Sequence, residues 1–333
     1  MGSCEISIAD KSSSLSKYVA GKKTAVVTDR NVRRMHSNVF QGFDVIEIDP
    51  GEKSKTLDTA QKVFRELLAL EMDRSSFLIG IGGGMICDMA GFCASTYMRG
   101  IGFGFVPTTL LAQADASIGG KNGVNLHGVK NIIGVFSQPE FVLIDFDFLK
   151  TLSERELYCG IAEIIKHALI RSEFLFEALE RNGRKLASLQ SDALERTVTG
   201  SLKIKSEIVT ADTKENGKRR LLNLGHTLGH AIEASSELRH GEAVSLGIIF
   251  ASKISEAKGM ITSKECRRIQ KLLEVFRLPT YMPFDKNVIL ETMKRDKKRW
   301  SEDFHFVLLS GIGKAEIVRM PFPELEEYVR DLC

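Results

Sequence analysis

The residues most able to do chemistry sit in "NLGHTLGHAIEASSELRHGE", residues 223–242, where His226, His230 and His240 fall within fifteen positions. On a helix, His226 and His230 lie one turn apart on one face, the spacing of a two-histidine metal site. His240 is then a third candidate ligand, and Glu163 in "AEIIKHALI" is a fourth from a separate helical stretch. One histidine alone is more readily a helix cap or a satisfied core residue. Three together, flanked by Gly225, Gly229 and Gly241, point to a metal. The HExxH pattern of zincin proteases is absent.

Two further stretches suit anionic ligands. "GIGGGMICDMAG", Gly80 to Gly91, stands where a strand meets a helix. Glycines there let a backbone approach a pyrophosphate, and the helix N-terminus offers free N–H groups. It is not a strict GxGxxG, so alone it favours nucleotide binding only slightly over packing. Asp29 and Asp49, at the ends of earlier strands, suit either ribose hydroxyls or turn capping. The stretch "PTTLLAQADASIGGKNGVNLHGVKNIIG", residues 107–134, reads as a long polar loop, a feature usually tied to function. Its Gly-adjacent Lys121, with Lys130, suits an anion. Arg99, Lys166, Lys205, Arg219 and the Lys297-Lys298 pair add cations that spacing alone does not show to converge.

These groups need a scaffold, and 333 residues with 43% apolar and 27% charged content suffice for two domains. "TAVVTD", "FDVIEID", "SSFLIGIGGG", "FGFVPTTLLAQ" and "FVLIDFDFL" read as strands. "TLDTAQKVFRELLALEMD" reads as a helix capped by Thr56 or Asp58. This alternation predicts an α/β domain over 1–150 with a mainly parallel sheet. From Thr151 onward helical spacing dominates, predicting a mostly helical domain over 151–333, with a cleft between the two as the default site. A net charge of +3 does not suggest a nucleic-acid binder. Six scattered cysteines without a CxxC pair, and no signal-peptide pattern, predict a cytoplasmic protein with reduced thiols. The apolar stretch from Phe77 to Thr96 is broken by Asp88 and rich in glycine, so no membrane span is expected.

Taken together, "PGEKSK", "GGGMICDMAGFCASTYMRG", "PTTLLAQADASIGGKNGVN", "KNIIGVFSQP", "AEIIKHALI", "LLNLGHTLGHAIE", "HGEAV" and "DKK" resemble, in order, the 3-dehydroquinate synthase family of sugar phosphate cyclases. The resemblance runs from about Thr24 to about Lys314. It implies a Rossmann-like NAD-binding domain, a helical metal- and substrate-binding domain, and usually a homodimer. It also implies one divalent metal, zinc or cobalt, and conversion of 3-deoxy-D-arabino-heptulosonate 7-phosphate to 3-dehydroquinate and phosphate in the shikimate pathway.

By position, the resemblance implies metal ligands Glu163, His226 and His240, with His230 set apart near the substrate phosphate. Arg99 (reaching across the dimer), Lys121, Asn131 and Lys297 match phosphate contacts. Asp115, Lys166, Lys205, Arg219 and Asn223 match contacts to the rest of the substrate. Lys121, Lys166, Lys205, Arg219, Asn223 and His230 form the implied catalytic set. The implied NAD site comprises Asp29, Glu52, Lys55, Gly83, Gly84, Asp88, Thr108, Thr109, Lys130 and Thr151. Asn122 and His167 depart from the family's usual residues and are candidates for tuning substrate contacts; the His230–His240 connection is slightly short. Rival readings are an inosose- or valiolone-forming cyclase, a metal-dependent polyol dehydrogenase, and a non-catalytic NAD- and metal-binding protein.

Overall fold

The β-branched and apolar runs of the first half do form a parallel sheet. The computed structural model describes residues 4–300 and 304–332, apart from the side chains of 295–300 and 304. The chain divides into two units, Met1–Ser153 and Glu154–Cys333.

In the first unit the strands are β1 (Glu5–Ile8), β2 (Thr24–Asp29), β3 (Asp44–Ile48), β4 (Phe77–Gly82), β5 (Gly102–Pro107), β6 (Lys121–Leu126), β7 (Val129–Phe136) and β8 (Phe141–Ile144). Its helices are α1 (Leu15–Tyr18), α2 (Arg30–Met35), α3 (Leu57–Ala69) and α4 (Gly84–Thr96). Six strands pair in the order β1-β8-β5-β4-β2-β3, all parallel. β4 is buried at every position, which is why it reads as a continuous apolar run and not as an alternation. Val26, Phe77, Ile79, Ile81, Val106, Phe141 and Leu143 share one core. Each such side chain contributes about 1.5–3 kcal/mol on burial. From β2 the chain steps outward to β3, whereas from β4 it steps the other way to β5. Such a reversal opens a crevice beyond the carboxyl ends of the strands.

The 107–134 segment is not the long loop its polarity predicts. One π-helical turn at Ala112–Ala116 is followed by the antiparallel hairpin β6–β7. His127 and Gly128 turn the hairpin with φ of 49° and 79°, the left-handed pair that matches strand twist. The polar residues of this stretch decorate an ordered ribbon. Val124 is fully buried, and the Asn125 N–H donates to the Lys55 carbonyl at 2.8 Å.

The second unit contains α5 (Glu154–Arg171), α6 (Glu173–Ala187), α7 (Ser191–Ala211), α8 (His226–Ser235), α9 (His240–Ala257), α10 (Ser263–Val275) and α11 (Lys286–Trp300). The hairpin β9 (Phe304–Gly311) and β10 (Lys314–Met320) and the helix α12 (Phe322–Leu332) complete it. α5 and α9 are buried along most of their length and pack against each other. The hairpin was not foreseen from the sequence; the Leu309 N–H ties it to the Ser255 hydroxyl of α9 at 2.9 Å. Among the described residues no helix is long and apolar enough to cross a membrane.

Candidate active site

In the first unit the glycine-rich stretch lies at the crevice. β4 ends at Gly82, Gly83 caps α4, and Asp88 stands one turn into that helix. Thr108 follows β5, its N–H donating to the Gly82 carbonyl at 2.9 Å, and Thr109 flanks Gly83. Asp29, at the end of β2, caps α2: its Oδ1 accepts the N–H groups of Asn31 at 2.8 Å and Val32 at 3.1 Å. Asp49 pairs with Arg30 at the surface.

Beside the crevice runs a polar chain. The buried Lys55 ammonium bonds the carboxylate of Asp88 and the side-chain oxygen of Asn131. Asn125 links this pair onward: its Oδ1 accepts the Asn131 N–H at 2.8 Å, and its Nδ2 donates to Glu52 at 2.8 Å. Asn131 has φ of 52°, a left-handed conformation that this bond helps to hold. Glu52, Lys55, Asp88 and Asn131 are thus brought together, with Asn125 as a linking member the sequence reading did not single out. Its signal was the strand alternation of β6, hidden by the loop assignment.

Thr151 pairs with the Nε2 of His36 at 2.8 Å. Lys121 and Lys130 are exposed on the hairpin, and Asp115 is half-buried in the π-helical turn. Arg99 is exposed on a turn where both Met98 and Arg99 adopt left-handed φ, 49° and 69°. Asn122 has an internal role: its amide donates to the carbonyls of Gly120 at 3.2 Å and Ser137 at 2.8 Å.

In the second unit Glu163, His226 and His240 converge, each offering a donor atom within 4.8 Å of the others'. The Glu163 Oε1 lies 3.5 Å from Nε2 of His226 and 3.2 Å from Nε2 of His240. Each imidazole is oriented through its other nitrogen. Nδ1 of His226 faces the Leu224 carbonyl at 3.1 Å, and Nδ1 of His240 faces the Glu233 carboxylate at 3.4 Å. That is the outer support typical of metal-binding histidines. Burial and the neighbouring Lys166 cation hold His226 well below its ordinary pKa, so its Nε2 carries a lone pair at neutral pH. Burial opposes a charge on His240, but bonds to Glu163 and Glu233 outweigh it and push its pKa up to about 9. His230, on α8 with His226, has its ring 5.2 Å from the His226 ring but is exposed and outside the trio. Two nitrogens and a carboxylate oxygen suit zinc or cobalt with positions left for substrate. The short His230–His240 connection still delivers His240 to the cluster.

The trio meets because α9 comes unusually close to its neighbours. A Cβ on Gly241 would lie 2.4 Å from the Cα of Cys159 on α5. A Cβ on Gly247 would lie 1.8 Å from the carbonyl oxygen of Gly225, the residue that caps the start of α8. Any side chain at either place would push α9 away from the helices carrying Glu163 and His226. Arg155, at the start of α5, reinforces the approach with a two-pronged bond to Glu242 at 2.6 and 2.7 Å. Glu242 also accepts the Arg239 N–H at 2.8 Å, fixing the first turn of α9 and with it His240.

Cations surround the trio's carboxylate or stand on elements packed against α5. Lys166 is buried and pairs with Oε2 of Glu163. Lys205 on α7 and Arg219 in the 3-10 turn Lys218–Asn223 are also buried. Three buried cations on neighbouring elements suit an anionic ligand, to which they can offer charge-assisted hydrogen bonds. Asn223 donates to Glu215 at 2.8 Å. Glu233, Glu215 and Asp212 were missed from sequence, although Glu233 stands seven residues after His226 on the same helical face. His167 is fully buried, with Nδ1 2.7 Å from the Ser201 hydroxyl. Lys297 lies outside the described side chains.

Known proteins share this pattern of sequence and fold. A 3-dehydroquinate synthase from Thermoanaerobacter pseudethanolicus is 43% identical over 321 residues, covering 93% of this chain and 90% of that protein. A 2-epi-5-epi-valiolone synthase from Streptomyces hygroscopicus subsp. jinggangensis, solved with NAD+ and Zn2+ bound, superposes with a TM-score of 0.93 at 28% identity, covering 100% of this chain and 97% of that one. A 2-deoxy-scyllo-inosose synthase, solved with carbaglucose-6-phosphate, NAD+ and Co2+, gives a TM-score of 0.86 at 25% identity, covering 98% and 96%. The family model for the 3-dehydroquinate synthase N-terminal region matches residues 45–159, and that for the C-terminal region matches 160–299. With both halves matched and this identity across its length, the chain belongs to the 3-dehydroquinate synthase family.

Proposed function

We propose that the chain converts 3-deoxy-D-arabino-heptulosonate 7-phosphate to 3-dehydroquinate and phosphate, using and regenerating NAD within each turnover. The observation that carries this reading is the buried Glu163 carboxylate, shared by two imidazole Nε2 atoms and the Lys166 ammonium. When bound, zinc or cobalt supplies Lewis acidity at the substrate's hydroxyls, and NAD supplies a reversible hydride acceptor. Glu163, His226 and His240 hold the metal. Lys166, Lys205, Arg219 and Asn223, with Asp115, bind and orient the polyol and carboxylate. Lys121, Asn131, Arg99 and Lys297 bind the phosphate, and His230 moves a proton at that end. Asp29, Glu52, Lys55, Gly83, Gly84, Asp88, Thr108, Thr109, Lys130 and Thr151 hold NAD. The family resemblance supports a homodimer in which Arg99, exposed on its turn, serves the neighbouring protomer.

The test is a coupled assay on the purified protein with the heptulosonate phosphate, NAD and zinc or cobalt. Phosphate is released with no lasting rise in NADH absorbance. Stoichiometric NADH would replace this reading with a dehydrogenase. Release only from a sugar phosphate lacking the carboxylate would replace it with another cyclase.

A further inference from the structure

Two of the residues assigned above to substrate, Arg219 and Asn223, share one support. α7 ends at Ala211, and the chain returns through residues 212–217 to the 3-10 turn that carries both. The Asp212 carboxylate gathers this return. Its Oδ1 accepts the Asn216 N–H at 3.0 Å, and its Oδ2 accepts those of Gly217 at 2.7 Å and Arg219 at 3.0 Å. The gathered loop then holds the two side chains. The Thr213 carbonyl accepts Nη1 of Arg219 at 2.6 Å, and Oε1 of Glu215 accepts Nδ2 of Asn223 at 2.8 Å. Glu215 sits at a left-handed φ of 61°, which a non-glycine residue keeps only when its surroundings hold it. The bond from the Arg219 N–H is foremost among those that keep the Asp212 carboxyl below its usual pKa.

We propose that Asp212 is a positioning residue for substrate binding, setting Arg219 through the Thr213 carbonyl and Asn223 through Glu215. The proposal rests on the functional reading above. It separates Asp212 from a plain loop stabiliser, because a stabiliser would lower thermal stability without changing how substrate is held.

A double-mutant cycle tests this, using Asp212→Ala, Arg219→Ala and the double variant, with metal content and melting temperature measured alongside. Asp212→Ala raises KM for the heptulosonate phosphate about tenfold with kcat within about threefold, the signature of lost binding. Bound metal stays at the wild-type ratio. The double variant loses less than the sum of the two single losses, because residues in one network do not add; what it loses beyond Arg219→Ala comes through Asn223. Asp212→Asn, which keeps an acceptor oxygen, recovers part of the loss, and it replaces the alanine variant in the cycle if that one does not fold. Additive losses, or an unchanged KM in the Asp212 variants, overturn the positioning role while leaving the functional reading intact. A wild-type protein that releases no phosphate overturns the functional reading first and this proposal with it.

Discussion

The two units build their candidate sites from different parts of the chain. In Met1–Ser153 the crevice is framed by backbone: strand ends, a glycine cap and the first turn of α4. In Glu154–Cys333 the site is made of side chains projected from three helices, meeting only because two glycines let those helices approach. A backbone site tolerates changes in the side chains around it but not on the strand end itself. A side-chain site depends on the registration of whole helices, so residues far from the ligand can dismantle it.

Removing a member of the trio should have the largest effect. His226→Ala or Glu163→Gln should lose the bound metal and reduce phosphate release by more than about 100-fold, beyond what loss of an outer partner usually costs. His230→Ala should keep one metal per chain and turn over about 100-fold more slowly, in the range of a lost proton-transfer group. Metal analysis of the dialysed variants decides it; equal metal loss in all three would place His230 among the ligands.

A smaller effect should follow from changes that touch no ligand. Gly247→Ala places a methyl 1.8 Å from the Gly225 carbonyl, and Gly241→Ala places one 2.4 Å from the Cys159 Cα. Overpacking of this kind costs about 1–3 kcal/mol. Both variants should melt earlier and bind zinc more weakly, measured by calorimetry and chelator competition. Wild-type zinc affinity in both would show that the helices can separate without disturbing the trio.

The smallest effect belongs to the backbone site. In Gly83→Ala the new methyl would lie 3.2 Å from Thr109 Cγ2, a contact that modest movement relieves. NAD binding should weaken about tenfold, the equivalent of about 1.4 kcal/mol, with metal content and melting temperature unchanged. Titration calorimetry with NAD reads this directly. Loss of metal in this variant would mean the two sites are not separable as described.

The sequence showed the elements more readily than their meeting places. β2 matches the predicted strand from Thr24 to Asp29, and Thr56 does cap α3, its hydroxyl accepting the Thr59 N–H at 3.2 Å. Local composition suffices there, because burial on both faces of a sheet requires continuous apolar runs and a cap requires a short polar side chain. The 107–134 stretch misled because its glycines and lysines mask the alternation of Val124, Leu126, Val129 and Ile133. The β9–β10 hairpin went unread against its helical surroundings. In the site, the three histidines were conspicuous by spacing, but spacing alone made His226 and His230 a matched pair.

By itself, then, the sequence determined the α/β and helical halves, the glycine-rich strand end, and a histidine cluster too dense to be casual. Those features depend on residues near one another along the chain. Tertiary structure decided that Glu163 meets His226 and His240, that Lys55 joins Asp88 to Asn131, and that Asp212 gathers the loop behind Arg219. Each of these joins residues on separate elements. Their distances are set by how closely helices and strands pack, which no local pattern encodes.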